Sequence, residues 1–197
     1  PHGTSRRQRQ MCIRDRLVVQ LSIQRVLGLS ESGYFRQVRE LRFRRMLRRM
    51  QDHVILCGYG RIGREIGEQL LLEKATVLVV ELDPLRQKAA EERGLKVLQA
   101  DATLDETLME AGLDRCRSLV TALPSNAANL YVILSARGLE QRCRLIARAD
   151  SEDAAAKLEL AGASVVVSPY VAGGRLMATT ALRPVSYTHL TLPTRST

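Results

Sequence analysis

The sequence lacks the features that define several large classes of protein. Its four cysteines show no C-x-x-C spacing and follow no signal-peptide pattern, which argues against a disulfide framework and against a cysteine zinc site. It also has no run approaching the roughly 18 apolar residues that a membrane-spanning helix needs. We therefore expect a fragment that is soluble by itself and that works in a reducing compartment.

The length and composition are those of an ordinary globular domain. The chain has 197 residues, of which 45% are hydrophobic. This length suits one domain with some excess sequence at its ends.

The two ends of the chain can be encoded by DNA sequences that are reverse complements of each other. A back-translation of residues 3–16 has a reverse complement that encodes residues 184–197 without a mismatch. Both ends also look like the translation of a transposon-end adapter used in sequencing libraries. We interpret residues 1–16 and 184–197 as adapter-derived scars and expect residues 17–183 to be a piece of a longer gene.

Positive charge is concentrated in one short stretch. The two ends supply +5 of the formal net charge of +9, and residues 36–49 hold seven arginines against one glutamate. The rest of the natural segment is therefore slightly acidic.

The arginine-rich stretch has a helical period. Its apolar residues share one face, opposite the arginines, and are Phe43, Met46, Leu47 and Met50. Residues 17–50 are thus predicted to be a linker followed by a basic amphipathic helix, whose basic face is solvated or contacts a membrane surface or a partner. Nucleic-acid binding is not expected, because no recognition motif follows.

From residue 53 onward, short apolar runs alternate with helical patterns. Six runs are predicted as strands: HVILC, TVLVVE, LKVLQ, SLVTAL, RLIARA and SVVVS. They are apolar on both faces, which is typical of a parallel sheet covered by helices. We predict an α/β domain over residues 51–183, a doubly wound Rossmann-type parallel sheet of about six strands with helices on both faces and a last helix from Gly173 onward.

The stretch "HVILCGYGRIGREIGEQL" places a G-x-G-x-x-G loop between the first strand and its helix. In such a loop Gly58 permits the tight turn, Gly60 lets a pyrophosphate approach the backbone, and Gly63 lets the helix pack closely. Glu81 ends the second strand, where an acid accepts the hydroxyls of an adenosine ribose. Strand, loop, helix and acid in this order predict a nucleotide site.

Further polar residues follow the third and fourth strands and open onto the same edge of the sheet, although each is also typical of a helix N-cap. Arg61 is either a phosphate contact or a solvated side chain. The predicted nucleotide-binding residues are Gly58, Tyr59, Gly60, Arg61, Ile62, Gly63, Glu81, Leu82, Asp101, Ala102, Thr103, Thr121 and Ser125.

The residues that hydride chemistry requires are missing around this loop. A dehydrogenase needs a positioned acid or base and a second domain that brings the substrate. His53, the single histidine outside the two ends, lies at the start of the first strand, at the edge opposite the glycine loop. No substrate domain fits between Ala149 and Arg183. We expect no enzyme activity and no catalytic residue; an NAD-dependent oxidoreductase fragment is the less favoured alternative.

The motifs "HVILCGYGRIGREIGEQL", "VVELDP", "QADAT", "LPSNAANL" and "RLIARADSEDAAAKLELAGASVVVSPYVAGGRLM" follow one another in this order. Over about residues 52–182 they resemble the N-terminal lobe of the regulator of K+ conductance (RCK) domain, also called the TrkA-N domain. The resemblance implies a domain that binds NAD(H), or ADP or ATP as second choice, and that forms dimers and rings that gate potassium channels or transporters.

Members of this family that bind Ca²⁺ carry acids at positions matching Glu81, Asp83 and Asp101, generally with loss of the glycines. The intact glycines here favour a nucleotide, with no metal site. The final helix, which includes Leu176, resembles the family's crossover helix, which packs on a neighbouring subunit.

Free-standing uptake subunits of this family begin almost at the first strand, whereas here an arginine-rich helix precedes it. The resemblance therefore implies a potassium channel whose pore lies upstream, at the cytoplasmic face of a bacterial or archaeal inner membrane. The regulatory domain of a cation/proton antiporter, or of a Trk/Ktr-type uptake system, is the alternative.

Overall fold

The computed structural model describes residues 34–140 and 142–182. The interpretations of residues 1–16 and 184–197 as scars, and of the linker up to residue 33, fall outside the described residues. The chain divides into two units, with the boundary between Arg49 and Met50.

The described part of the first unit is the helix α1 (Tyr34–Arg49). It begins two residues before the predicted start and ends just before Met50. Its arginines from Arg42 onward are exposed. The prediction of a basic helix is confirmed in its position and in the exposure of that basic face.

The second unit contains a six-stranded sheet in which every pair of neighbours is parallel, in the order β3-β2-β1-β4-β5-β6. The strands are β1 (Val54–Cys57), β2 (Val77–Val80), β3 (Lys96–Leu98), β4 (Ser118–Thr121), β5 (Arg144–Arg148) and β6 (Val165–Val167). Helices alternate with the strands: α2 (Arg61–Leu72), α3 (Pro84–Glu92), α4 (Asp105–Glu110), α5 (Asn126–Leu139), α6 (Glu152–Leu160) and α7 (Pro169–Leu182), with a 3-10 turn at Leu113–Arg115. This is the predicted doubly wound Rossmann-type fold.

Capping residues fix where several of these helices begin. The Asp83 carboxylate accepts a hydrogen bond of 2.8 Å from the Leu85 N–H, and Pro84 occupies the first turn of α3. Ser151 caps α6 in the same way, with its hydroxyl oxygen 3.2 Å from the Ala154 nitrogen. Both starts agree with the sequence prediction.

The last helix begins earlier than predicted. The sequence predicted a start at Gly173, but α7 begins at Pro169. Proline suits the first turn of a helix, and the Ser168 carbonyl accepts a hydrogen bond from the Ala172 N–H at 3.0 Å. Two glycines therefore lie inside the helix.

The core lies at the centre of the sheet. Every residue of β1, β2 and β4 is buried, and Ile55, Leu78 and Leu119 are completely inaccessible. The strand order reverses between β1 and β4, so a crevice opens outside their carboxyl ends, where doubly wound proteins bind ligands. Across the described ranges, no helix combines the length and the apolar character that crossing a membrane requires.

Candidate functional site

The glycine loop leaves the carboxyl end of β1 by a left-handed turn. Gly58 has φ +95° and donates its N–H to the Val80 carbonyl of the neighbouring strand at 2.9 Å. A side chain disfavours this conformation, and a Cβ at this position would lie 3.0 Å from Leu123. The first glycine thus makes the turn, as the sequence predicted.

The second and third glycines meet different requirements. A Cβ on Gly63 would lie 2.0 Å from the carbonyl oxygen of Gly58, so α2 packs directly against the loop only because this side chain is missing. A Cβ on Gly60 would meet nothing within 4 Å, because Gly60 borders open space. Gly63 is therefore needed for the fold, whereas Gly60 leaves room above the loop.

Glu81 links the end of β2 to the glycine loop. Its carboxylate, in a residue only 7% exposed, accepts a hydrogen bond from the Tyr59 N–H at 2.6 Å and another from the Asp83 N–H at 2.9 Å. Each bond uses a different carboxylate oxygen, and each oxygen can accept a second hydrogen bond. The side chain holds the loop in place and keeps acceptor capacity for a ribose.

The segment after β3 is also fixed by a carboxylate. The Asp101 oxygen accepts hydrogen bonds from the N–H of Thr103 at 2.9 Å and from its hydroxyl at 2.7 Å. This closed turn presents Ala102 and its neighbours to the crevice without further ordering of the backbone.

A cavity of about 460 Å³ lies between these segments. Eight of the residues predicted from the sequence line it: Gly58, Gly60, Glu81, Leu82, Asp101, Ala102, Thr103 and Ser125. The structure therefore brings together the ends of four strands around one space, of the size typical of small-molecule sites.

The other five predicted residues lie around the cavity without lining it. Tyr59 is buried, and its ring belongs to the core, with only its N–H directed to Glu81. Arg61 is exposed at the start of α2, and Ile62 packs against the core. Gly63 contacts the loop, and Thr121 is fully buried. A direct ligand contact for these side chains stays a prediction.

Sequence reasoning missed Arg86, which lines the cavity from the first turn of α3. Its Nε lies 3.7 Å from the Asp83 carboxylate, and about half of its side chain is exposed. The spacing of three residues from the N-cap aspartate is the signal from which this position could have been inferred.

Asn129 was also missed. It is 1% exposed, and its amide both accepts from the Leu123 N–H at 3.0 Å and donates to the Leu123 carbonyl at 3.2 Å. It also donates to the Arg148 carbonyl at 3.1 Å. Asn129 therefore fixes one wall of the cavity to the end of β5. No local signal distinguishes it from Asn126, three residues earlier in the same helix.

His53 lies at the opposite end of β1 from the loop, as predicted. It is completely buried, and its Nε2 donates a hydrogen bond to the Ala111 carbonyl at 2.8 Å. Burial lowers the pKa of the imidazole below its ordinary value of 6.5, although the carbonyl acceptor favours the protonated ring. The residue has a structural position far from the cavity.

The acids around the cavity do not form a ligand set for a metal ion. Within residues 34–140 and 142–182, no group of three or more histidine, cysteine, aspartate or glutamate side chains is arranged to hold one. The Glu81 and Asp101 carboxylates instead bind backbone N–H groups.

The fold and the loop define a Rossmann-type domain whose glycine loop borders an open crevice. The TrkA-N domain profile matches residues 54–169, and the chain belongs to the TrkA-N domain family. The resemblance to this family predicted from the motifs is confirmed.

Two curated relatives show the range of proteins that contain this domain. Over 151 residues, or 75% of the chain, it is 35% identical to "Probable potassium channel protein 2" of Methanocaldococcus jannaschii. Over 120 residues, or 60% of the chain, it is 33% identical to "K(+) efflux antiporter 2, chloroplastic" of Arabidopsis thaliana. The chain spans 44% of the first relative and 10% of the second, so it matches a part of each.

This chain is also similar in structure to solved proteins, one of which is a TrkA-N domain. The TrkA-N domain of inner membrane protein ybaL from Escherichia coli has a TM-score of 0.61 at 30% identity and covers 70% of this chain and 99% of its own. The GsuK channel bound to NAD has a TM-score of 0.56 at 27% identity, covering 60% of this chain and 22% of its own. The same GsuK protein has also been solved bound to ADP, with a TM-score of 0.58, 26% identity and coverage of 70% and 36%.

Proposed function

We propose that this chain is the nucleotide-sensing regulatory domain of a potassium channel, which controls K+ transport by binding NAD(H) or, as second choice, ADP or ATP. The observation that carries the proposal is the open approach over Gly60, next to a cavity bordered by Glu81. Similarity to the GsuK channel, solved with NAD and with ADP, supports it.

The geometry suggests how each part of the nucleotide is held. A pyrophosphate over Gly60 would meet the N-terminus of α2, whose first N–H groups and helix dipole favour anions. The adenosine ribose would lie against Glu81, whose oxygens retain acceptor capacity. The closed turn at Asp101 and the N-terminus of α5 at Ser125 would border the rest of the ligand.

Binding without chemistry fits this arrangement. His53 is buried at the far end of β1. The carboxylates of Glu81, Asp83 and Asp101 accept hydrogen bonds from backbone N–H groups, the Ser125 hydroxyl caps a helix, and Arg86 supplies a positive charge. A general acid or base must reach the reacting atoms of its substrate. We therefore propose a sensor that uses the nucleotide as a signal.

The signal would be passed to a membrane partner and to a second copy of the domain. The relative from M. jannaschii is more than twice as long as the matched segment, which fits a pore on the same polypeptide and a position at the cytoplasmic face of the inner membrane. α7 exposes Leu176 at 68%, Met177 at 74% and Leu182 at 84%. Such an apolar helix surface is typical of a protein interface, and we propose that it pairs two domains.

A second candidate is the regulatory domain of a cation/proton antiporter. The similarity to a K+ efflux antiporter at 33% identity favours it. The unfragmented gene distinguishes the two: a channel would encode two membrane spans around a selectivity filter upstream of residue 34, whereas an antiporter would encode many spans.

Isothermal titration calorimetry of the full chain with NAD, NADH, ADP and ATP tests the nucleotide proposal. We expect at least one of them to bind the wild type, and we expect Gly60→Val to bind none, because its side chain would fill the pyrophosphate approach. Unchanged binding by Gly60→Val would mean that the ligand does not cross this loop.

A further inference from the structure

The thiols of Cys116 and Cys143 face each other at the amino ends of β4 and β5. Their sulfur atoms are 3.1 Å apart. These strands are paired, with Ser118 opposite Arg144, and so bring together two cysteines that are 27 residues apart in the chain. Because a disulfide bond is about 2.05 Å long, the two sulfurs need to approach by only about 1 Å.

The two thiols are held in different environments. Cys116 is half-buried, whereas Cys143 is 5% exposed. The hydrogen bond from the Cys116 thiol lowers the pKa of Cys143, against the opposing effect of burial, and it raises the pKa of Cys116. Arg137, whose guanidinium donates to the Cys143 carbonyl at 3.3 Å, also favours the thiolate. Cys143 is therefore the thiol that ionises first, and the thiolate is the reactive form.

We propose that Cys116 and Cys143 are an oxidation site that forms a reversible disulfide when the protein meets a hydroperoxide. The Cys143 thiolate attacks the terminal oxygen of the hydroperoxide and the O–O bond breaks. A sulfenic acid forms, and hydroxide leaves from hydrogen peroxide or an alkoxide from an organic hydroperoxide. The Cys116 sulfur then attacks the sulfenic sulfur. The S–O bond breaks, the Cys116 proton joins the departing hydroxide as water, and two electrons have passed from the thiols to the peroxide.

The burial of Cys143 selects the oxidant. A residue that is 5% exposed admits a small hydroperoxide more readily than a bulky organic disulfide. Cys57 is a contrast within the same domain, because it is completely inaccessible and burial raises its pKa to about 12. We therefore expect oxidation at the pair and not at Cys57.

The pair is separate from the nucleotide cavity. The cavity lies beyond the carboxyl ends of the strands, whereas both cysteines precede the strands at the opposite edge. The disulfide would hold the amino ends of β4 and β5 together and leave the cavity residues in place. The inference therefore does not depend on the proposed nucleotide function.

Mass spectrometry of the full chain after treatment with hydrogen peroxide tests this inference. The reduced protein has four thiols, and we expect two after oxidation, a proteolytic fragment that links Cys116 to Cys143, and full reversal by dithiothreitol. The melting temperature should rise by roughly 5 °C, because the bond constrains the unfolded chain.

Single serine variants supply matched controls. Cys57→Ser should form the same link as the wild type, whereas Cys143→Ser should form none. In Cys116→Ser the sulfenic acid at Cys143 has no partner, and we expect dimedone to trap it when it is added with a denaturant that exposes Cys143. Retention of all four thiols in the wild type, a link between other cysteines or between two molecules, or a lack of the dimedone adduct would overturn the proposal.

Discussion

The Glu81 carboxylate accepts a hydrogen bond from the backbone N–H of Tyr59, with 2.6 Å between oxygen and nitrogen. This bond joins the end of β2 to the middle of the glycine loop, so one side chain both shapes the loop and borders the cavity. The two roles make Glu81 the residue whose substitution is most informative about the ligand.

We predict that the domain binds NAD(H) at least tenfold more tightly than NADP(H), a difference of about 1.4 kcal/mol. The 2′-phosphate of NADP(H) would approach the carboxylates of Glu81 and Asp83. Among the described residues, Arg86 is the one that lines the cavity with the opposite charge. Arg86→Ala should widen the difference, and Glu81→Ala should narrow it, chiefly by weakening the preferred ligand. Calorimetry of the three proteins with both dinucleotides measures this; equal affinities in the wild type would contradict it.

The third glycine should be essential for folding. Gly63→Ala places a Cβ 2.0 Å from the Gly58 carbonyl oxygen, and we expect a loss of at least about 3 kcal/mol in the free energy of unfolding. Gly60→Ala is the matched control, since its Cβ meets nothing within 4 Å and its φ of −74° suits any residue. Urea denaturation compares the two, and equal stability would show that α2 can move away from the loop.

Asn129→Ala should destabilise the domain and disturb the cavity wall. The change removes three hydrogen bonds. It leaves the Leu123 N–H without its partner, and the Leu123 carbonyl keeps only the Arg148 guanidinium, at 3.5 Å. We expect a loss of about 3 kcal/mol, together with weaker nucleotide binding. Asn126→Ala removes a single bond, to the Asp150 N–H, and should cost about 1 kcal/mol. A larger loss of unfolding free energy in Asn126→Ala than in Asn129→Ala would mean that Asn129 is not the residue that fixes the cavity wall.

Stability should fall on mild acidification because of His53. Burial lowers the pKa of the folded imidazole below 6.5, so below that pH the unfolded chain binds a proton that the folded chain does not. The contribution of the neutral His53 to the free energy of unfolding is fully present above the ordinary pKa. It is lost as the pH falls below that value, by up to about 1.4 kcal/mol per pH unit. His53→Gln, which can still donate to Ala111, should show a shallower dependence between pH 7 and 5 in denaturation curves. Identical slopes would contradict the prediction.

A charge on α7 should abolish self-association. We expect the wild type to dimerise at micromolar concentrations and Leu176→Glu to be monomeric in light scattering, because a buried unpaired carboxylate is costly. Leu85→Glu is a control on another exposed helix position, 80% accessible, and should leave the dimer intact. A monomeric wild type across this range would exclude α7 as the contact.

The sequence predicted the six strands because each is apolar on both faces and is separated from the next by a helix with recognisable start signals. Asp83-Pro84 and Ser151 are start signals of this kind, and both helices begin where the residues indicate. α7 was placed four residues late because the prediction began it at Gly173 and did not use Pro169, which suits the first turn of a helix.

The sequence predicted only the part of the site whose residues follow a motif along the chain. The glycines and Glu81 have a fixed spacing along the chain, so a motif identifies them. Asn129 and the pair Cys116–Cys143 act across strands that are distant in sequence, and only the order β1-β4-β5 brings their partners together. Residues whose role depends on strand order have no local pattern by which they can be found.

The different surroundings of Gly60 and Gly63 bear on how this loop changes during evolution. A lineage that no longer needed its nucleotide would still require glycine at position 63, because the Gly58 carbonyl oxygen would lie 2.0 Å from any Cβ there. Position 60 borders open space, so it would be free to drift. Among descendants of this domain, the identity of residue 60 should therefore separate sensors that still bind a nucleotide from those that keep only the fold.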